Sequence, residues 1–249
     1  MESFSIQTPS QLYEFDHMIW DAFFSKEVTL YHPTQEIFDT LSRARDKGIN
    51  VYDAHLLPEI DLSEVKEAPG WLKTLPEWVY DEVKAGRISS EALKLTGNAV
   101  LFEKTPKPPY QDGLQLYPAD PFARILEEGR DQGAIEVVDY TKDIPRNSRF
   151  GLAPNELGYV NSKIAELLVV DGSQARQPKA IENNLLGNAF YPYLGLTGVS
   201  EWYEDEIKYA DGHVHRLFGG GSGPGGLSGV YYWPLYARSR DVGFRSLVE

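Results

Sequence analysis

The chain has 249 residues, 42% of them hydrophobic, a formal net charge of −13 and no cysteine. That length suits one large domain or two small ones with an ordinary core. The acidic balance argues against sequence-independent binding to nucleic acid, which needs a basic surface, and the missing cysteine excludes disulfides, thiolate metal sites and cysteine nucleophiles. The N-terminus has neither the basic start nor the apolar run of a secretory signal, and no stretch approaches the length of a membrane helix. Synthesis in the cytoplasm is expected, with no membrane partner; display on a particle or cell surface stays open.

The first ninety-odd residues read as helix-rich. Pro33-Thr34 before Gln35-Glu36-Ile37-Phe38-Asp39-Thr40-Leu41 supplies a cap and apolar residues at helical spacing, with a stop near Gly48. Shorter amphipathic stretches run over 62–66, 76–85 and 89–95. Tyr52 with His55, and Trp71 with Trp78, read as packed core, since nothing nearby supplies partners for catalysis. A domain boundary is expected near Thr96–Gly97, dividing a helix-rich region, 1–96, from a second domain, 97–249. Val100-Leu101-Phe102 then predicts a strand and Thr105 to Tyr110 a proline-rich connection. Further on, 121–129 reads as a helix, 134–140 as a strand, and 155–170 as a helix ended by Gly172. Glycine-rich turns and short aromatic strands fill the rest, which makes the fold class α+β. No internal repeat is evident.

The last segment differs in texture. Leu217-Phe218-Gly219-Gly220-Gly221-Ser222 leads through further glycines to Tyr231, Tyr232, Trp233 and Tyr236, and on to Gly243-Phe244-Arg245. Glycine frees the backbone to turn, while Tyr and Trp give rigid, amphipathic contact area at little rotamer cost, the composition of an evolved binding surface. From Tyr209 to Val248 there is no Lys, Glu, Gln, Asn or Met. From Leu217 onward three arginines face Asp241 and Glu249, so this segment is nearly neutral while the body carries the negative charge.

Four pieces, in order, resemble the C-type lectin fold of the formylglycine-generating enzyme family. Arg176, Pro178 and Glu182 match its Arg-Leu-Pro-Thr-Glu-Ala-Glu-Trp segment. Gly198 with Glu201-Trp202 is similar to its Ser-Gly-Asn-Val-x-Glu-Trp turn, Phe218 to Ser222 to its Arg-Gly-Gly-Ser-Trp strand, and Gly243-Phe244-Arg245 to its closing Gly-Phe-Arg. The resemblance implies a C-type lectin-like domain of short twisted antiparallel strands, two helices and long loops. These residues read as scaffold, with Arg245 pairing a carboxylate such as Glu182 or Glu201.

Departures from the enzymes matter as much. The turn at Gly198 lacks the asparagine that the family uses near a calcium site. The copper-binding members need paired cysteines and the related sulfoxide synthases a histidine triad. Here His17, His32 and His55 have no such spacing, and His213 with His215, two apart, would share a strand face but make only a pair. No metal and no cofactor are therefore expected. A branch that fits better is the variable proteins of diversity-generating retroelements, whose C-type lectin domain ends in a segment rewritten by adenine-directed mutagenesis. Mutated codons of two adenines and a pyrimidine cannot yield Lys, Glu, Gln, Met or Trp, and 217–248 obeys that exclusion except at Trp233. The resemblance implies a variable segment, 217–245, and a non-enzymatic binding function for a macromolecule, expected to be protein. The candidate binding residues are Ser222, Gly223, Pro224, Tyr231, Tyr232, Leu235, Tyr236, Arg238 and Arg240, with Trp233 as a fixed anchor; strand alternation would turn about half of them inward. The alternatives are a metal-dependent oxidoreductase using His213, His215 and a carboxylate, and a calcium-dependent lectin with Trp233 or Tyr236 stacked on sugar. A homo-oligomer is left open.

Overall fold

Thr8, itself extended, caps the first helix by accepting the Gln11 N–H, and Pro9 opens that helix, α1, Pro9–Phe24, which buries Leu12, Trp20, Phe23 and Phe24. The computed structural model describes residues 8–249 apart from 64, 66, 112, 113 and 224. Sequence periodicity did not single out α1, because its buried stripe includes Asp16, whose carboxylate accepts the Leu56 N–H at 2.6 Å. The helix expected after Thr34 is present as α2, Gln35–Asp46, ending before Gly48, whose φ of 76° suits glycine. The stretch at 76–85 forms α3, Glu77–Lys84. The other two amphipathic stretches differ. Leu62, Ser63 and Val65 are not helical, Glu64 and Lys66 lie outside the described residues, and 89–95 is a short 3-10 turn, Ser90–Leu93, followed by a strand.

Strands β1, Tyr52–Leu56, β2, Glu59–Asp61, β3, Lys94–Thr96, and β4, Ala99–Glu103, follow one another through the middle of the chain. After helices α4, Ala123–Asp131, and α5, Leu157–Leu168, come β5, Ala175–Arg176, helix α6, Ala180–Ala189, and then β6, Ser200–Lys208, β7, Val214–Gly219, β8, Val230–Pro234, β9, Val242–Phe244, and β10, Leu247–Val248. They form three sheets: β1-β4-β10-β5, the pair β2-β3, and β8-β7-β6-β9. All pairings are antiparallel except β6 with β9, which is parallel. The protein is thus mixed α+β.

The chain on either side of Thr96–Gly97 shares one sheet. Tyr52 pairs with Glu103 and Leu56 with Ala99, and a single hydrophobic cluster runs from Leu12 to Val248. The boundary expected there does not separate two cores among the described residues. The strand expected at 134–140 is also absent: this stretch is coil and a 3-10 turn, Asp139–Thr141. Its backbone is claimed by helix ends, Ile135 N–H bonding the Gly129 carbonyl and Glu136 N–H the Glu156 carboxylate, so no neighbouring strand pairs with it. Helix α5 stops at Val169, in the left-handed region at φ 58°, three residues before Gly172. Helix α6 went unread in the sequence because Ala180 to Gly187 are all buried, which leaves no polar face and no periodic stripe.

Candidate ligand-binding face

The scaffold beneath the C-terminal segment is tied by buried charges. Arg245, fully buried, donates to Glu201 on β6 at 2.9 and 3.1 Å and to the backbone carbonyls of Thr105 and Glu103. Glu201 also accepts from Tyr117 at 2.6 Å. Burial works against the Glu201 carboxylate, but Arg245, then Lys107 and Tyr117, outweigh it and hold its pKa below the usual range. Beside this pair, buried Arg149 bridges Glu103 at 2.8 Å and Asp120 at 2.7 Å, and the Glu103 carboxylate receives the Ser246 N–H at 3.0 Å. The network joins β4, β6 and the chain entering β10. Of the two carboxylates expected for Arg245, Glu201 is the partner; Glu182 instead pairs with Arg176 at 2.7 Å. Lys107 is buried with its ammonium on the Gly220 carbonyl at 2.6 Å, and burial lowers its pKa to about 8.

Glycine is required where β7 leaves the sheet. A Cβ on Gly219 would sit 1.9 Å from the Gly229 carbonyl oxygen, and Gly220 has a φ of 79°. The close approach brings the chain back as β8, which lies at one edge of its sheet.

On β8 the expected alternation fails in an informative way. Val230 is buried, yet Tyr231, Tyr232 and Trp233 are 46%, 39% and 39% exposed in succession. An edge strand has a neighbour on one side only, so side chains on both faces keep contact with water. Tyr231 and Trp233 share one face and lie against Phe218, with ring centroids 5.8 and 4.6 Å away; Trp233 also meets buried Trp202 edge-on at 6.3 Å. Tyr232 lies on the other face, against Trp78 at 5.6 Å, His215 at 5.6 Å and Tyr209 at 6.2 Å. Tyr236, beyond the strand, is 72% exposed. Ser222 and Gly223 form an exposed turn tethered by the Ser222 N–H on the Thr197 carbonyl; Pro224 lies outside the described residues. Leu235 is half-buried, its carbonyl accepting the Asn155 N–H.

The two arginines do different work from that expected. The Arg238 side chain is only 8% exposed and bridges Glu156 and Glu136, the latter at 2.9 Å. Arg240 holds Asp143 through two bonds of 2.9 and 2.6 Å and the Tyr140 carbonyl at 3.2 Å. Arg238 is therefore corrected from surface contact to internal brace, and Arg240 is committed to the same loop, 136–143. That loop exposes Val137 and Tyr140. Neither they nor Trp78 and Tyr209 were singled out for the site by sequence, since they reach the face from distant positions.

His213 lies in the turn before β7, where it pairs with Asp211 at 2.9 Å, so it does not share a strand face with His215. Among the described residues no group of three or more His, Asp or Glu side chains is disposed to hold a metal ion, and no helix is long and apolar enough to cross a membrane. No protein-family model matches the chain, and neither a curated protein nor a solved structure matches it.

Proposed function

We propose that this chain is a non-enzymatic ligand-binding protein that displays a diversified C-terminal surface on a C-type lectin-like scaffold, in the manner of the variable proteins of diversity-generating retroelements. The observation that carries the reading is the division of exposure within 217–248. Leu217 and Phe218 at one end and Val242 to Val248 at the other are buried, while Tyr231, Tyr232, Trp233 and Tyr236 between them face solvent. Four large aromatic side chains within six positions is more apolar exposure than a surface serving only solubility carries, and Tyr and Trp are the residue types that dominate binding energy. The motif residues behind the resemblance support it: Glu201 and Arg245 form a buried pair, Trp202 is core, and Gly219 permits a backbone contact that no larger residue allows. Substitution at the exposed positions would leave this frame standing.

The ligand class is a macromolecule, expected to be a protein, met by Tyr231, Trp233 and Tyr236 with the Ser222–Gly223 turn at the margin. Sequencing the 3′ end of the gene across its source population, with a search of flanking DNA for a near-copy of codons 217–245, tests the reading. Substitutions confined to exposed positions and traceable to template adenines are the expected result. An invariant segment with no template copy would overturn it.

A further inference from the structure

We propose that the cavity between the end of α4 and the chain 137–151 is a binding site for one small oxyanion, phosphate or sulfate, held by Arg130, Lys142 and Arg146. The inference is independent of the ligand-binding role proposed above and stands on the cavity and the charges around it.

Arg130 lies in the last turn of α4, where the helix dipole favours a cation, and is 8% exposed. Its guanidinium gathers the chain that follows by donating to the carbonyls of Arg146, Ser148 and Phe150, the last two at 2.8 Å. Carbonyls satisfy hydrogen bonds but carry no formal charge, and among the described residues no carboxylate pairs with this arginine. Glu156, the carboxylate that acts on it through space, is bonded instead to Arg238 and to the N–H groups of Glu136 and Ala153. Burial lowers the Arg130 pKa to about 10; Glu156 opposes that shift and Arg146 adds to it. A buried charge without a counter-ion is costly. Arg149, Arg238 and Arg245, whose side chains are as deeply withdrawn, each meet at least one carboxylate.

The cavity gives a counter-ion room. It has a volume of about 100 Å³, with apolar walls from Val137, Ile144 and Phe150 beside the three cations. Among the described residues no Asp or Glu lines it, in a chain whose net charge is −13. The Lys142 side chain is 70% exposed and comes no nearer to Asp139 than 4.0 Å. Arg146 commits its Nε and Nη2 to Asp131 at 3.1 and 2.5 Å, leaving Nη1 for a second acceptor. A cavity of roughly 150 Å³ takes up a benzene-sized molecule, so this one admits a single tetrahedral ion and excludes a nucleotide or a sugar. Guanidinium forks and the point charge of lysine are the donors that such ions select.

The site shares Val137, Thr141 and Lys142 with the loop 136–143, whose ends are tied to Arg238 through Glu136 and to Arg240 through Asp143. A bound anion therefore fixes this loop from its inner side, and with it the exposed Tyr140.

Titrating the full chain with sodium phosphate or sodium sulfate, at an ionic strength held constant with sodium chloride, tests the proposal by thermal melts and amide exchange. Either oxyanion is expected to bind with Kd about 1 mM. It should give a saturable rise in Tm of roughly 3–5 °C at ten times that concentration, and slow exchange at Val137 to Thr141. Lys142→Glu reverses an exposed charge without touching the core and should weaken binding about tenfold or more. Lys26→Glu, the same change at the exposed end of α1, should bind as the wild type does. Arg130→Met, once confirmed folded by circular dichroism, should lose the saturable response. A Tm that climbs without saturating is general stabilisation by these salts and would overturn the site, as would unchanged affinity in Lys142→Glu. None of these outcomes touches the binding of a macromolecule by the C-terminal aromatics, so the proposed function stands or falls separately.

Discussion

Replacing Arg245 with leucine tests whether the end of the chain is scaffold. The side chain is wholly buried and is committed to Glu201 at 2.9 and 3.1 Å, to the Thr105 carbonyl at 3.0 Å and to the Glu103 carbonyl. Leucine leaves the Glu201 carboxylate, whose side chain is 2% exposed, with only the Tyr117 hydroxyl bonded to it and Lys107 nearby. Stranding one partner of a buried ion pair costs about 3–5 kcal/mol, and each backbone carbonyl left without its donor adds about 1–3 kcal/mol. These terms overlap, because Glu201 escapes part of the first by taking up a proton. About 4 kcal/mol is the expected net loss, or a fall in Tm of roughly 8–16 °C for a chain of this size. Denaturant unfolding followed by tryptophan fluorescence reads it. Two companions sharpen the test. Adding Glu201→Gln to Arg245→Leu should recover part of the loss, because the stranded charge goes with it. In the single variant the loss should shrink as pH falls, because Glu201, deprived of Arg245, has a raised folded pKa and so favours folding most when protonated. A loss under about 1 kcal/mol, or no relief from Glu201→Gln, would refute the argument that this pair holds β6 to the closing strand.

Tyr236→Ala should leave stability within about 0.5 kcal/mol of wild type, as exposed side chains do, whereas Tyr232→Ala should cost roughly 1–2 kcal/mol by removing its ring contacts with Trp78, Tyr209 and His215; thermal melts separate the two. Arg238→Ala should strand Glu156 and loosen 136–143, seen as faster amide exchange at Val137 to Tyr140 with a loss of about 2 kcal/mol; unchanged exchange would refute the brace. Gly219→Ala should cost more than about 3 kcal/mol in denaturant unfolding, because its Cβ would overlap the Gly229 oxygen at 1.9 Å. Burial raises the Asp205 carboxyl to about 7, so its protonated form favours the fold. Stability from this group is complete below about pH 4 and is lost as pH rises to about 7, by up to about 4 kcal/mol, and Asp205→Asn should flatten that slope in unfolding titrations.

Much of the local structure was legible because its causes are local. Thr34 and Gly48 bracket the apolar stripe of α2, and Val100-Leu101-Phe102 has the β-branched and aromatic character of a buried strand. Where a distant partner decides, the sequence misled or said nothing. Residues 134–140 carry strand propensity, but the Gly129 carbonyl and the Glu156 carboxylate take their N–H groups first. Helix α6 offers no stripe because every side of it meets protein.

The candidate face divides in the same manner. The sequence by itself determined that the C-terminal segment is glycine-framed, aromatic and nearly neutral, and that Gly219, Glu201 and Arg245 suit a fixed frame, because backbone freedom and side-chain chemistry belong to the residue itself. Tertiary structure alone decided which side chains face water. Three successive aromatics are exposed because β8 lies at an edge, and Arg238 is withdrawn because Glu156, 82 residues earlier, is folded against it. Exposure depends on which segments the fold places alongside, and no spacing along the chain encodes that.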